Sequence, residues 1–195
     1  SVSGMLCDLP DIGKTYTAKI YCSEHQNAVY VDCSQVKTKQ KLIRKIAQEF
    51  GVAHTGKYAE VYEDLVFFLN GTSTPMIVLD EFGDLDYPAF LECKALWNAT
   101  EYQCGFYAMG ADGLRDKITR NKNNNKVGFA EMFRRLGDKF QHITPVGSEL
   151  ESFKFQQTAL VAKANGLDDV KKVFAQTGGS LSRVRLEVLK QKLSA

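Results

Sequence analysis

Apolar and polar positions along the chain follow two rhythms, and the change from one to the other marks its elements. Some short runs are apolar on both faces: Ala28-Val29-Tyr30-Val31-Asp32-Cys33 within residues 27–33, Met76-Ile77-Val78-Leu79 leading into Asp80-Glu81, and Phe106-Tyr107-Ala108-Met109 before Gly110. Such β-branched and aromatic runs, bounded by proline and glycine, predict buried strands. Met5-Leu6 opens the chain in the same manner, and residues 140–144 predict a last strand before the hinge Pro145-Val146-Gly147. Between the runs the apolar residues recur every three or four positions. Leu42, Ile43, Ile46, Ala47 and Phe50 predict a helix over 38–50, and Val61, Leu65, Phe68 and Leu69 another over 58–69. Gly51 and Asn70-Gly71 stop them. Helices are also predicted over 14–23, 89–101 and 129–136. Strands alternating with helices predict an α/β fold with a five-stranded parallel sheet flanked by helices.

Two stretches depart from this alternation. From residue 148 onward the rhythm is helical alone, over 149–164, 168–176 and 181–193, with breaks at Asn165-Gly166 and Gly178-Gly179. This predicts an α/β domain over 1–146 and a small helical lid over 147–195. Residues 114–126 carry Arg115, Lys117, Arg120, Lys122 and Lys126 around Asn123-Asn124-Asn125, and predict a fraying helix followed by a flexible loop.

Composition narrows the classes. With 44% hydrophobic and 25% charged residues, the 195-residue chain can bury a full core. No apolar run approaches the ~20 residues of a membrane span, and the expectation from the opening residues is of no signal peptide. The chain is expected to begin after a removed Met or to be a piece of something longer. A net charge of +2 is too small to argue for nucleic acid. The five cysteines form no C-x-x-C pair and predict buried thiols, so a cytoplasmic location is the expectation. His25, His54 and His142 show no ligand spacing, and Trp97 lies on an apolar helix face.

The chemistry begins at Leu6-Cys7-Asp8-Leu9-Pro10-Asp11-Ile12-Gly13-Lys14-Thr15-Tyr16. An apolar run leads into a loop, and Gly-Lys-Thr opens a helix. That layout aims backbone N–H groups at an anion. Pro10, Asp11, Ile12, Gly13, Lys14, Thr15 and Tyr16 would cradle phosphates, with Lys14 on the terminal ones and Thr15 on Mg²⁺. The pattern G-x-x-x-x-G-K-[ST] has Asp8 in place of its first glycine, and Asp11 adds a second carboxylate. Further on, a strand ends in Asp80-Glu81. Asp80 would hold Mg²⁺ through water, and Glu81 would orient and deprotonate an attacking water. Each motif alone reads as a turn or a strand end; in this order, each on its required element, they point to nucleotide.

These blocks resemble the AAA+ ATPases, which are P-loop NTPases. Within them the chain is similar to the target-selection ATPases of transposition, the Mu-phage B protein and its relatives. The resemblance runs through Leu9 to Thr15, Ala28 to Cys33, Ile77 to Glu81, Met109-Gly110-Ala111-Asp112-Gly113-Leu114-Arg115, Phe129-Ala130-Glu131-Met132-Phe133-Arg134-Arg135-Leu136 and Gly178-Gly179-Ser180-Leu181-Ser182-Arg183. It implies that the γ-phosphate-sensing position falls on Ala111, next to Asp112, where relatives carry a polar residue. It also implies that an arginine acts in trans on a neighbour's nucleotide. Arg135 matches by position, Arg134 is the alternative, and both also read as surface arginines of an amphipathic helix. Arg183 matches the lid arginine. The planar guanidinium fork suits phosphate oxygens.

The function implied is Mg²⁺-dependent hydrolysis of ATP, with ATP or ADP bound, coupled to assembly of a homo-oligomer in DNA transposition. A transposase or another client would be the partner, and non-specific double-stranded DNA would bind residues 115–126. Those basic residues also read as a solvated loop. The alternatives are a nucleotide-binding switch with little hydrolysis and an interaction subunit that has lost nucleotide. Relatives carry an N-terminal segment packed near the adenine, which this sequence does not include.

Overall fold

A computed structural model describes residues 2–194. Two compact units emerge. The first runs to Asp8 and resumes from Thr15 to His142; the second joins Leu9–Lys14 to the described residues from Ile143 onward.

The first unit is built on strands β1 (Gly4–Cys7), β2 (Ala28–Asp32), β3 (Met76–Asp80) and β4 (Gly105–Gly110). All pair in parallel, in the order β1-β4-β3-β2. Side chains alternate between the two faces. Met5, Cys7, Val29, Val31, Ile77, Leu79, Phe106 and Ala108 enter the main core. Helices α2 (Lys39–Glu49), α3 (Tyr58–Gly71), α4 (Tyr87–Ala99), α5 (Asp112–Asn123) and α6 (Phe129–Arg135) cover that face. Leu6, Val78 and Met109 point the other way, onto Ala18 of α1 (Lys14–Glu24). Each fully buried Leu, Ile or Val contributes about 1.5–3 kcal/mol, so this two-faced burial explains why the strands read as unbroken apolar runs. The parallel register brings Cys7, Asp32, Asp80 and Gly110 to one sheet edge, with Asp32 opposite Asp80 and Cys7 opposite Gly110.

Two predictions are corrected here. Among the described residues the sheet has four strands, not five. Residues 140–144 make a single bridge, Gln141 beside Leu6. The Cys7 N–H donates to the Gln141 carbonyl at 3.1 Å and the Gln141 N–H to the Met5 carbonyl at 2.8 Å. Pairing cannot spread further. Gly137 and Asp138 turn the chain with positive φ just before, Phe140 folds against the Phe133 ring at 4.8 Å, and Pro145 has no N–H to donate.

The second correction concerns α5, which is a regular twelve-residue helix rather than a fraying one. Leu114 and Ile118, four residues apart, are buried in the main core. Asp112 in the first turn and Arg120 and Lys122 in the last match the helix dipole. Polar composition concealed these anchors.

The second unit contains α7 (Glu149–Ala164), α8 (Val170–Thr177) and α9 (Leu181–Ser194). Ala162, Val170, Val173 and Val184 form its core with Phe155 and Leu167, and Phe155 meets Phe174 edge-on at 5.2 Å. Asp169 caps α8 by accepting the Lys172 N–H. Gly178 and Gly179 both take positive φ between α8 and α9. A Cβ on Gly179 would come within 2.9 Å of the Lys154 Cβ, so the bend requires glycine there.

Gly110 is as tightly confined as Gly179, since a Cβ would lie 2.8 Å from the Leu114 Cβ. Gly110→Ala should therefore lower stability by about 1–3 kcal/mol, read as a fall in the urea midpoint with an unchanged slope. Gly113→Ala, where nothing lies within 4 Å, should instead gain up to about 1 kcal/mol.

Candidate functional site

In the first unit the site is centred on one buried carboxylate. Asp80, at the end of β3, is 2% exposed. Its Oδ2 accepts from the Thr15 hydroxyl at 2.6 Å and from the Tyr30 hydroxyl at 2.9 Å. Its Oδ1 accepts from the Glu81 N–H at 3.0 Å. Three donors thus satisfy a group that would otherwise be costly to bury. Thr15 arrives from the first turn of α1 and Tyr30 from the adjacent strand β2. Burial, and then the bond to Asp80, pushes the Tyr30 phenol far above its ordinary range, so it stays protonated and donates.

Glu81 behaves differently from its neighbour. It is exposed and left-handed, with φ 49° and ψ 42°. Non-glycine residues held there cost of order 1–3 kcal/mol and persist where the surroundings fix them. Here the fixing is visible. A 3-10 turn over Phe82–Asp84 follows, with Phe82 buried against Phe90. Lys117 of α5 donates to the Gly83 carbonyl at 2.6 Å and the Leu85 carbonyl at 2.8 Å. Burial lowers the Lys117 pKa.

Asp8, where the loop pattern has glycine, is fully buried. Its carboxylate lies 3.2 Å from His142 Nε2, and its N–H donates to the Gly110 carbonyl at 3.2 Å. The side chain is therefore directed at His142.

In the second unit the loop Leu9–Lys14 is shaped by Gly13 at φ 90° and Asp11 at φ 63°. Lys14 Nζ donates to the Leu9 carbonyl at 2.5 Å. Asp11 accepts from the Ser182 N–H at 2.9 Å and from the hydroxyls of Ser180 and Ser182. Partial burial works against its charged form, but those bonds outweigh it and hold the Asp11 carboxyl below its ordinary value. Arg183 is exposed on α9, and its N–H donates to Ser180 Oγ at 3.2 Å. Pro10 and Tyr16 are exposed, and Ile12 is half-buried.

The remaining sequence-derived residues lie elsewhere. Arg135 is only 14% exposed, paired with Glu131 and laid over the Trp97 ring at 4.6 Å. Its Nη1 is buried with no partner among the described residues. Arg134 beside it is exposed. Ala111 precedes α5 and brings no polar side chain, while Asp112 pairs with Arg115 at 3.4 Å. In the basic stretch, Arg115 donates to the Cys7 carbonyl, Lys122 sits over Phe133 and Lys126 over Tyr87. Two surface cavities of about 410 and 590 Å³ lie in the first unit. Neither is lined by Thr15 or Asp80, and the larger one includes Tyr30 and Asp32. Sequence reasoning missed Tyr30, His142, Lys117, Ser180 and Ser182. Only Ser180 and Ser182 carried a signal, as polar residues opening a helix after two glycines.

With this geometry in hand, the comparison is direct. Residues 3–118 match the AAA domain family. The chain belongs to that family. Among solved structures, this AAA domain is similar to the Orc1 protein of Aeropyrum pernix, determined in complex with DNA. The TM-score is 0.56 at 17% identity, over 94% of this chain and 55% of that one. At that identity the likeness is one of fold, and the AAA domain described here spans about half the length of that protein. No curated protein matches the sequence.

The serine bonds to Asp11 have a pH signature. A carboxyl whose folded pKa is depressed contributes stability above its unfolded value, near 3.8, and loses it as acid titrates the folded group. The stability difference between wild type and Asp11→Asn, from urea unfolding, should hold steady above that value and shrink below it. A difference indifferent to acid would show that the carboxylate is not so bonded. Separately, Lys117→Met leaves two carbonyls without their donor and should cost about 1–3 kcal/mol in the same measurement.

Proposed function

We propose that this AAA domain binds ATP with Mg²⁺ and hydrolyses it. The observation that carries the reading is the 2.6 Å contact between Thr15 and Asp80, residues 65 positions apart that meet at one edge of a parallel sheet. A hydroxyl and a carboxylate are the hard oxygen donors that Mg²⁺ takes from a protein when phosphates and waters supply the rest. Among the described residues no group of three or more His, Cys, Asp or Glu could hold a metal by itself. Thr15 and Asp80 would hold the ion, whose bound charge neutralises phosphate oxygens. Lys14 and the N–H groups of residues 10–15 would bind the phosphates. Glu81, exposed and conformationally fixed, would orient a water and accept its proton.

A second copy would complete the site by contributing an arginine in trans. Arg134 suits that role better than Arg135, because Arg134 is exposed while Arg135 is committed to Glu131 and Trp97. Arg183 would serve from the lid. The proposal extends to assembly on DNA, in target selection for transposition with a client protein. Its supports are the resemblance in sequence and the DNA-bound state of the Orc1 neighbour. Arg120, exposed on α5, is a candidate phosphate contact. A second reading, a nucleotide switch with slow turnover, is favoured by Ala111, which offers no side chain to sense a γ-phosphate.

The test is thermal unfolding with and without Mg-ATP, alongside phosphate release. A ligand at ~100 times its dissociation constant adds about 2.7 kcal/mol. Wild type should gain stability and release phosphate, Lys14→Ala should lose the gain, and Glu81→Gln should keep it while release stops. A wild-type protein unmoved by millimolar Mg-ATP would end this reading.

A further inference from the structure

A carboxylate within a phosphate loop poses an electrostatic problem. Left to itself, Asp11 would repel the anion that the loop's N–H groups attract. In the folded chain that charge is taken up at the start of α9. The first N–H groups of any helix lack intrahelical partners and favour an anion. At α9 that anion is Asp11, 171 positions away from Ser182 in the chain. Its Oδ1 takes the Ser182 N–H and hydroxyl, and its Oδ2 takes the Ser180 hydroxyl. Ser180 Oγ in turn accepts the Arg183 N–H. Ser180 thus caps α9 from the neighbouring position, and the Asp11 carboxylate takes the Ser182 N–H beside it.

Both partners in this contact are locally constrained. Asp11 sits at φ 63°, a region that Asp, Asn and Gly tolerate and most residues do not. On the other side, Gly178 and Gly179 take positive φ, and Gly179 has no room for a Cβ between Lys154 and Phe174. Gly13 completes the arrangement at φ 90°, with Leu181 the nearest atom group to its missing Cβ, at 3.7 Å. The loop's conformation and the start of α9 are therefore specified together.

We propose that Asp11 is a positioning residue for phosphate binding, holding Leu9–Lys14 in shape through a clasp on Ser180 and Ser182. This rests on the nucleotide reading above. It reverses the sign expected of an acidic residue in such a loop. If Asp11 were an unbalanced charge, removing it would tighten nucleotide binding. As a clasp, its removal loosens binding, and removing the two serines does the same.

The experiment has two readouts. The first is the dissociation constant for Mg-ATP of wild type, Asp11→Ala, Asp11→Asn, the double variant Ser180→Ala/Ser182→Ala, and the triple variant with Asp11→Ala. Charge-assisted bonds of this kind are each worth roughly tenfold or more in an equilibrium constant. Asp11→Ala and the double serine variant should each weaken binding by at least about tenfold, and the triple should be no worse than either, because one interaction is lost in all three. Asp11→Asn keeps the left-handed backbone and one accepting oxygen for Ser182, but puts a donor where Oδ2 takes the Ser180 hydroxyl, and should weaken binding by less than Asp11→Ala does. Tighter binding by Asp11→Ala or Asp11→Asn, a loss in Asp11→Asn equal to that in Asp11→Ala, or additive losses would each overturn the proposal. The second readout is amide exchange without nucleotide. Residues 9–14 should exchange faster when only Ser180 and Ser182 are replaced. No change there overturns the clasp whatever ATP does, whereas faster exchange in a protein that ignores Mg-ATP leaves the clasp standing and removes the nucleotide reading.

Discussion

A carboxylate cannot be left in a protein interior without donors, and Asp80 is almost wholly enclosed. The cost of stranding it runs to several kcal/mol. Two hydroxyls and one backbone N–H meet that cost. The β2–β3 register sets Tyr30 two residues before the end of β2, where its hydroxyl reaches Asp80, and the helix after the loop brings Thr15. The backbone turn that supplies the Glu81 N–H is the same turn that throws the Glu81 side chain outward. Thus the requirement that satisfies one acid also exposes the other. Two adjacent acids acquire different environments without any difference in chemical type.

Support for that edge comes from the opposite side of the sheet core. Helix α5 is tied down by Leu114 and Ile118, and its Lys117 spans two carbonyls of the segment after Glu81. A lysine in a stretch that reads as nucleic-acid-facing is turned inward as a strut. Lys122 and Lys126 lie over aromatic rings in the same neighbourhood, where a cation gains from the ring quadrupole.

What was legible in the chain follows from the range of the interactions. Strands β2, β3 and β4 were readable because burial on both faces leaves a local apolar signature, and the helices of the second unit because their periodicity is local. The loop and the Asp80-Glu81 pair stand out in the sequence because the chemistry proposed for them requires fixed residue types at short spacing. Residues 140–144 misled because a bridge of one residue and a strand look alike until Pro145 and the turns at Gly137 and Asp138 are weighed. The partners of Asp8, Asp11 and Asp80 were invisible for a different reason. His142, Ser182 and Tyr30 are separated from them by long stretches of chain, and nothing in a serine's neighbours tells which carboxylate it will meet.

The stacked pair formed by Arg135 and Trp97 has a practical consequence. This is the chain's single tryptophan, with a guanidinium 4.6 Å from its ring and its Nε1 donating to Ser3 Oγ at 3.4 Å. Indole emission is sensitive to a nearby positive charge and to the polarity around the ring nitrogen. The protein therefore carries a built-in optical gauge, whose colour and brightness register any departure of helix α6 from its seat.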